Sequence, residues 1–452
     1  MNGSRAANHV AVTPDGKGVT SRVGSLLMAE LADRLGLTGA FSKGMAPMVK
    51  RRRRRDPGVA LTHLAVLLAD GGDCLSDLAV LRQQPDLFGS VASDATSYRL
   101  LGSGWAKEAI VEARSVARER AWSAGAAPKS VTLEFDATLV DSHSDKEDAA
   151  PNYKGGFGFH PLCCFLDETK EALAGKLRPG NAGANNADDH LEVFDASIAQ
   201  LPSEWRAGHA RGDDASLVAR PILVRADSAG ATHAFVDALV ESNCEFSIGF
   251  HIDQKVRGAL GLAQEEDWVD AVELDGSIRD GASVTELTHL IDLESWGEGT
   301  RLFSRRERPH PGAQLTLFDI EVGMRHQCFI TNSVGDPATL ELRHRGHARV
   351  EDRIRDAKAM GMRNLPFRDV VPNDAWLQLV LCAMDLVAWT RALCLEGELA
   401  IAEPKRLRYA FLHAAGRIVH SGRGTTIRVQ RNWPWEHEVV SAFKRLRALA
   451  LC

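Results

Sequence analysis

The stretch Val131-Thr-Leu-Glu-Phe-Asp-Ala-Thr-Leu139 constrains the fold more than any other part of the chain. Val131, Leu133, Phe135, Ala137 and Leu139 alternate with Thr132, Glu134, Asp136 and Thr138, a period of two that belongs to a β-strand and not to a helix. One face is apolar and the other bears carboxylates, so Asp136 projects from the polar side. Strand texture returns at 159–166 and 172–177, joined by the turn-prone Asp167-Glu-Thr-Lys170, which predicts an antiparallel meander. A helical stretch at 188–200 follows. Pro221-Ile-Leu-Val-Arg-Ala-Asp227 then reads as a buried strand ending in a carboxylate, with a helix over 232–241 and a further strand over 245–250.

Three strands, a helix, a strand, a helix and a strand is the order of a ribonuclease-H-like α/β domain. Apolar residues recur every three or four positions at 21–41, 59–69 and 75–82, which places helices before this core. The run Arg51 to Arg55 falls between two of them, closed by Asp56-Pro57, which sets proline early in the next helix. Short β-like segments, 300–306 and 318–331 among them, follow the core. A long helix is expected from Pro337 to Gly361, then an apolar one from Asp374 to Leu395 that Asp374 caps, a hairpin at Gly422-Arg-Gly424 and a last basic helix. The expected organisation is a helical N-terminal region (1–125), the first part of the core (126–265), a β-rich insertion (266–335), the final helices of the core (336–400) and a basic C-terminal region (401–452).

Composition narrows the class. The 452 residues are 44% hydrophobic and 25% charged, ordinary for a water-soluble protein with a large core. No run of eighteen apolar residues and no basic-then-apolar leader is seen, so no membrane partner and a cytoplasmic, nucleoid-associated location are expected. The eight cysteines lack any CxxC pair and read as reduced, mostly buried thiols. A net charge of −6 argues mildly against a nucleic-acid partner. The mean conceals clusters, however: ten Lys/Arg against three Asp/Glu over 401–452, and eight against four over 341–368. Such clusters can line a phosphate track.

A lone aspartate at a strand end is ordinarily a turn former or helix cap, so Asp136 and Asp227 mean little singly. Glu351 adds more. On one continuous helix His344, His347, Glu351, Arg355 and Lys358 fall within about 80° of one another. A surface ion-pair ridge explains Glu351 with Arg355 at about 0.2–0.5 kcal/mol, but not the two histidines upstream or the lysine beyond. Three carboxylates from two strands and a helix are the ingredients for two divalent cations, which phosphodiester chemistry needs because attacking and leaving oxygens both develop charge. Hard oxygen ligands suit Mg²⁺ or Mn²⁺. His344, His347, Arg355 and Lys358 are then expected at phosphates rather than on the metal.

The chain resembles the DDE transposases of bacterial insertion sequences, of the kind classified as transposase DDE domain group 1. The resemblance rests on a series in order: Phe135-Asp-Ala-Thr-Leu139, Asn152-Tyr-Lys-Gly-Gly-Phe-Gly-Phe-His-Pro161, Arg178-Pro-Gly-Asn-Ala182, Arg225-Ala-Asp-Ser-Ala-Gly230 and Arg349-Val-Glu-Asp-Arg-Ile354, then Lys358. It implies a ribonuclease-H-like core whose Asp136, Asp227 and Glu351 are catalytic and bind two metal ions, with a β-rich insertion before Glu351. The intervals of 91 and 124 residues leave room for it. Related enzymes with such insertions often carry Tyr and Arg seven and four residues before the glutamate; here those positions hold His344 and His347. Tyr153-Lys-Gly-Gly-Phe157 is equally a hairpin loop or a DNA-contact loop, with Lys154 beside two glycines that allow close approach.

The expected activity is cleavage at terminal inverted repeats and transfer of the freed 3′-hydroxyl into target DNA, by a homodimer on paired ends. Arg51, Arg52 and Arg53 and the last basic helix are candidates for binding those ends. The alternatives are a catalytically silent, transposase-derived DNA-binding protein and a hydrolytic nuclease of the same fold. A glycosidase is a remote third, because 6% aromatic residues provide no evident sugar platform.

Overall fold

The computed structural model describes residues 13–48, 56–297, 299–309, 312–313, 315–422 and 424–450, so Arg51, Arg52 and Arg53 lie outside the described residues. Strands, and helices of eight or more residues, are numbered below in chain order.

The chain enters through a short strand β1 (Val19–Thr20) and the helices α1 (Val23–Arg34), α2 (Leu37–Gly44), α3 (Pro57–Ala69), α4 (Asp94–Leu101) and α5 (Ala106–Ala121). Asp56 starts α3 as its sequence suggests: the carboxylate accepts from Gly58 N at 2.8 Å and Val59 N at 3.1 Å, with Pro57 in the first turn.

The core sheet begins with β2 (Val131–Ala137). A small sheet of β3 (Val140–Asp141), β4 (Ala150–Pro151) and β5 (Phe157–Phe159) precedes β6 (Leu162–Leu166) and β7 (Ala172–Lys176). The expected strand at 159–166 is thus split at His160-Pro161, since proline has no N–H to give to a ladder. Then come α6 (Ala187–Gln200), β8 (Ile222–Ala226), α7 (His233–Glu241), β9 (Glu245–Phe250) and α8 (Gln254–Leu262). Strand β2 pairs antiparallel with β6 and parallel with β8, and β8 pairs parallel with β9. The spatial order β7-β6-β2-β8-β9 is a ribonuclease-H-like core.

The residues after α8 do not form a detached sheet. Strands β10 (Val269–Val272), β11 (Ile278–Glu286), β12 (Arg301–Glu307) and β13 (Arg325–Thr331) continue the core sheet, β13 pairing antiparallel with β9, to give nine strands in one surface. The expected strand over 318–331 is shorter, because Thr316 and Asp319 form a capping box that makes 317–322 helical.

The long helix expected from Pro337 to Gly361 is broken. It comprises α9 (Pro337–Arg345), a tight 3₁₀ turn at Gly346–Arg349, α10 (Val350–Ala357) and a widened turn at Lys358–Met362. The apolar helix α11 (Val370–Cys394) begins earlier than expected. Asp374 is inside it and pairs with Lys107 at 2.8 Å instead of capping. Helix α11 is long and apolar enough to cross a membrane, but nearly all of it is buried between α3, α5, β7 and the last helix. The chain ends in the hairpin β14 (Gly416–Ser421) and β15 (Gly424–Val429) and the helix α12 (Glu436–Ala448). Because β1 pairs with β14 and α1 packs on α12, the first and last segments form one helical lobe around α11.

Candidate active site

Strand β2 is buried on both sides. Val131, Leu133 and Phe135 face α6 and α7, where Phe135 meets Phe235 edge-on at 5.4 Å. The polar face is covered too, by α10, so Glu134 is wholly enclosed while Asp136, two residues on, reaches the rim. Asp227 follows directly on the neighbouring parallel strand β8 and caps a 3₁₀ turn, accepting from Ala229 N at 2.9 Å. That turn lies hard against β9. A Cβ on Gly249 would stand 2.8 Å from Ser228 N, so only glycine fits there. Glu351 is exposed in the first turn of α10.

These three carboxylates act on one another. Burial, then the charge of Asp227 and further that of Glu351, push the Asp136 carboxyl up to about 6, against the partial relief of His347 and of the Ala137 N–H at 2.7 Å. Among the described residues, the only three groups whose ligand atoms lie within 4.8 Å of one another are Asp73, Cys74 and Asp77, none of them a residue of this site. There the Asp77 carboxylate is already engaged, accepting from Asp73 N at 3.0 Å and Cys74 N at 3.3 Å. Asp136, Asp227 and Glu351 are hard oxygen donors, the latter two exposed, and the charges of Asp227 and Glu351 both bear on Asp136. That donor set fits divalent cations of the Mg²⁺ or Mn²⁺ kind.

Below the carboxylates runs a buried ion network that holds α9 and α10 on the sheet. Arg225, two residues before Asp227, bonds Glu134 through Nη2 and also reaches Asp167 Oδ2 at 2.6 Å. Its Nη1 donates to the Arg343 carbonyl at 2.5 Å. Arg349 donates to Asp167 Oδ1 from Nε at 2.9 Å. The second oxygen of Glu134 accepts from His347 Nδ1 at 2.5 Å. Burial works against a charged imidazole, but the bond to Glu134 and the charges of Glu134, Asp136 and Asp227 outweigh it and raise His347. With Nδ1 committed, Nε2 is the nitrogen available to the open side. Glu134 escaped the sequence reading of site residues, although it shares the polar face of β2 with Asp136; what its spacing did not reveal was that Arg225 and His347 come from elsewhere to meet it.

The broken helix splits the expected ridge. His347 and Glu351 stay at the site. Lys358 does too: burial lowers its ammonium and Lys154 adds to the lowering, while Asp141 and Asp136 pull the other way, so it lies within electrostatic reach of Asp136. His344 stacks on Phe329 at 4.4 Å and 8° and holds Ser247 Oγ through Nδ1 at 3.0 Å. Burial drives its imidazole down to about 3, so it is neutral and not the cation implied by grouping it with Arg355 and Lys358. Arg355 turns outward to Asp352 and Glu403, each at 3.0 Å, an exposed pairing that leaves the site. Lys154 lies in the exposed 152–157 loop, where Asn152 Oδ1 accepts from Lys154 N and Gly156 N at 3.0 Å each.

Beside Asp227 and His347 opens a cleft of about 700 Å³ along β9, β13 and α9, lined by Arg279, Arg305, Arg325 and Arg345 but also by Glu307 and Glu341.

A family model described as transposase DDE domain group 1 matches residues 3–451. Among solved structures the chain is similar to a piggyBac transposase in a synaptic complex with hairpin DNA, at 11% identity and a TM-score of 0.43, covering 88% of this chain and 83% of that one. No curated protein matches.

Proposed function

Since the chain belongs to the transposase DDE domain group 1 family, we propose that it cuts DNA at the ends of a mobile element and joins the freed 3′-hydroxyl to target DNA, with Asp136, Asp227 and Glu351 as catalytic carboxylates holding two divalent ions, Mg²⁺ or Mn²⁺. The observation that carries this reading is the Asp136 carboxyl, pushed up to about 6 by burial and by the charges of Asp227 and Glu351. A cluster held in mutual repulsion by the fold is what a bound cation relieves. Bound there, a metal pair supplies Lewis-acid stabilisation of an in-line displacement at phosphorus.

The chain's own residues do the remainder. Glu134 fixes His347 by Nδ1 and favours its charged form, so Nε2 is left to give a hydrogen bond to a phosphate oxygen at the cleft mouth. Lys358, within electrostatic reach of Asp136 and of Lys154, offers further positive charge. Arg225 and Asp167 tie β8, β6 and α9 together, which fixes where Asp227 and His347 stand. Action as a homodimer on paired terminal inverted repeats belongs to the same proposal.

The test incubates the protein and Mn²⁺ with DNA bearing the inverted repeats that flank its gene, and follows 3′-end cleavage and joined products. Asp227→Ala is expected to lose both activities while still binding DNA. Full activity in that variant sinks the assignment. Cleavage without joining by the wild type moves the reading to a hydrolytic nuclease, and binding without cleavage to a silent DNA-binding protein.

A further inference from the structure

In the sheet β1-β14-β15, Arg417 on β14 stands directly opposite Arg428 on β15, and Val19 of β1 lies on the far side of Arg417. Directly opposed residues share a face, with side chains some 5 Å apart at Cβ. Ile418, Gly416 and Thr20 on the other face are buried against the lobe, whereas Arg417, Arg428, Thr426 and Val19 are all exposed. Like charges directly opposed destabilise a sheet, and among the described residues neither arginine has a carboxylate partner. On α12, Arg445 differs, held by Glu396 at 2.6 Å and Glu438 at 2.9 Å, while Lys444 and Arg447 are exposed. Arg406, before the hairpin, is likewise paired with Glu398 at 3.6 Å. What sets the hairpin pair apart is the sheet register, which holds Arg417 and Arg428 directly opposite one another on one exposed face.

We propose that the outer face of the β14–β15 hairpin is a DNA-binding surface in which Arg417 and Arg428 share one backbone phosphate, with Thr426 beside them. An anion between the two guanidinium groups turns an unfavourable cross-strand pair into two charge-assisted bonds, and the planar fork of arginine matches phosphate geometry. The surface deepens the reading of the chain as an enzyme acting on DNA and rests on it.

The test measures binding of a fluorescein-labelled, mixed-sequence DNA duplex by anisotropy across a salt series, without divalent ions, on the full chain. In Arg428→Glu the new carboxylate faces Arg417, so the hairpin keeps or gains thermal stability while losing the phosphate. Affinity is expected to fall about tenfold, and the slope of log K against log salt to flatten by about one. Arg445→Gln, in α12, is expected to leave both unchanged. Unchanged affinity and slope in Arg428→Glu overturns the proposal, as does a larger loss in Arg445→Gln. Binding that depends on Arg428 in a protein that cleaves nothing removes the enzymatic reading but keeps this surface; intact cleavage with binding indifferent to Arg428 removes this surface alone.

Discussion

At the scale of single residues the sign of an effect is decided by what a side chain loses on folding. Asp136 titrates near 6 in the fold against 3.8 when free. Its ionised form is the disfavoured one, so its charge costs stability above pH 6, and the cost disappears as the pH falls through 6 toward 3.8. Because the group is only partly enclosed, the cost is on the order of 1–2 kcal/mol. Asp136→Asn is therefore expected to raise the urea midpoint of the metal-free protein at pH 7.5, although it abolishes cleavage. Mg²⁺ or Mn²⁺ should raise the midpoint of the wild type and not of the variant. A variant that is less stable at pH 7.5, with an undiminished response to metal, contradicts the assignment. Asp136 and Asp227 were legible in the sequence because strand period and strand end suffice to place them. The neutral His344 was not, since its state is set by burial against Phe329, a residue of β13 that no helical spacing brings into view.

At the scale of elements, the break between α9 and α10 decides which parts of the old ridge meet the sheet. Periodicity alone reads 337–361 as one helix, because the spacing of apolar residues persists through the 3₁₀ turn at Gly346–Arg349. The interruption comes from tertiary contact. Arg225 reaches across from β8 to the Arg343 carbonyl, and a Cβ on Gly346 would stand 2.3 Å from its Nη1. Helix propensity favours Gly346→Ala by about 1 kcal/mol. The clash opposes it, and Arg225 has nowhere to go, since Glu134 and Asp167 hold its other nitrogen. Overpacking of this kind costs about 1–3 kcal/mol and shifts backbone, so the clash wins. Gly346→Ala is expected to lower the midpoint of urea denaturation and to slow cleavage, as Arg225 and with it His347 are displaced. A more stable variant with full cleavage would show that the break is incidental. Several core elements were read to within a residue or two, because they carry their own cap or alternation, as Asn186 does for α6 and Thr232 for α7, whereas the strand expected over 159–166 is split and α8 was not foreseen.

Across the whole molecule, the sequence reading separated segments that the fold joins. Residues at the two ends meet through β1 and β14, and such pairing leaves no mark in local periodicity. What locks the lobe to the core is equally non-local. Arg114 and Arg118 of α5, both fully enclosed, converge on Asp385 of α11 at 2.8 and 2.7 Å, and Arg118 also holds Glu171, beside β7, at 3.0 Å. Trp122 and Trp389 donate their indole N–H groups to Glu171 at 2.9 and 2.6 Å, and Asp385 accepts from Ala172 N at 2.9 Å. Burying four charges is itself unfavourable, and only the complete set of partners offsets it. Removing one member leaves two guanidinium groups short of an anion in a dry interior. Asp385→Ala is therefore expected to cost about 3–5 kcal/mol, far more than the exposed Arg355–Glu403 pair, whose loss in Glu403→Ala should fall within about 1 kcal/mol. Urea denaturation followed in parallel by circular dichroism and by tryptophan fluorescence measures both. Since the network spans helix, sheet and turn, the two signals should shift together in Asp385→Ala; a fluorescence change ahead of the loss of helix would mean that the lobe and the core unfold as separate units and that the network joins them only weakly.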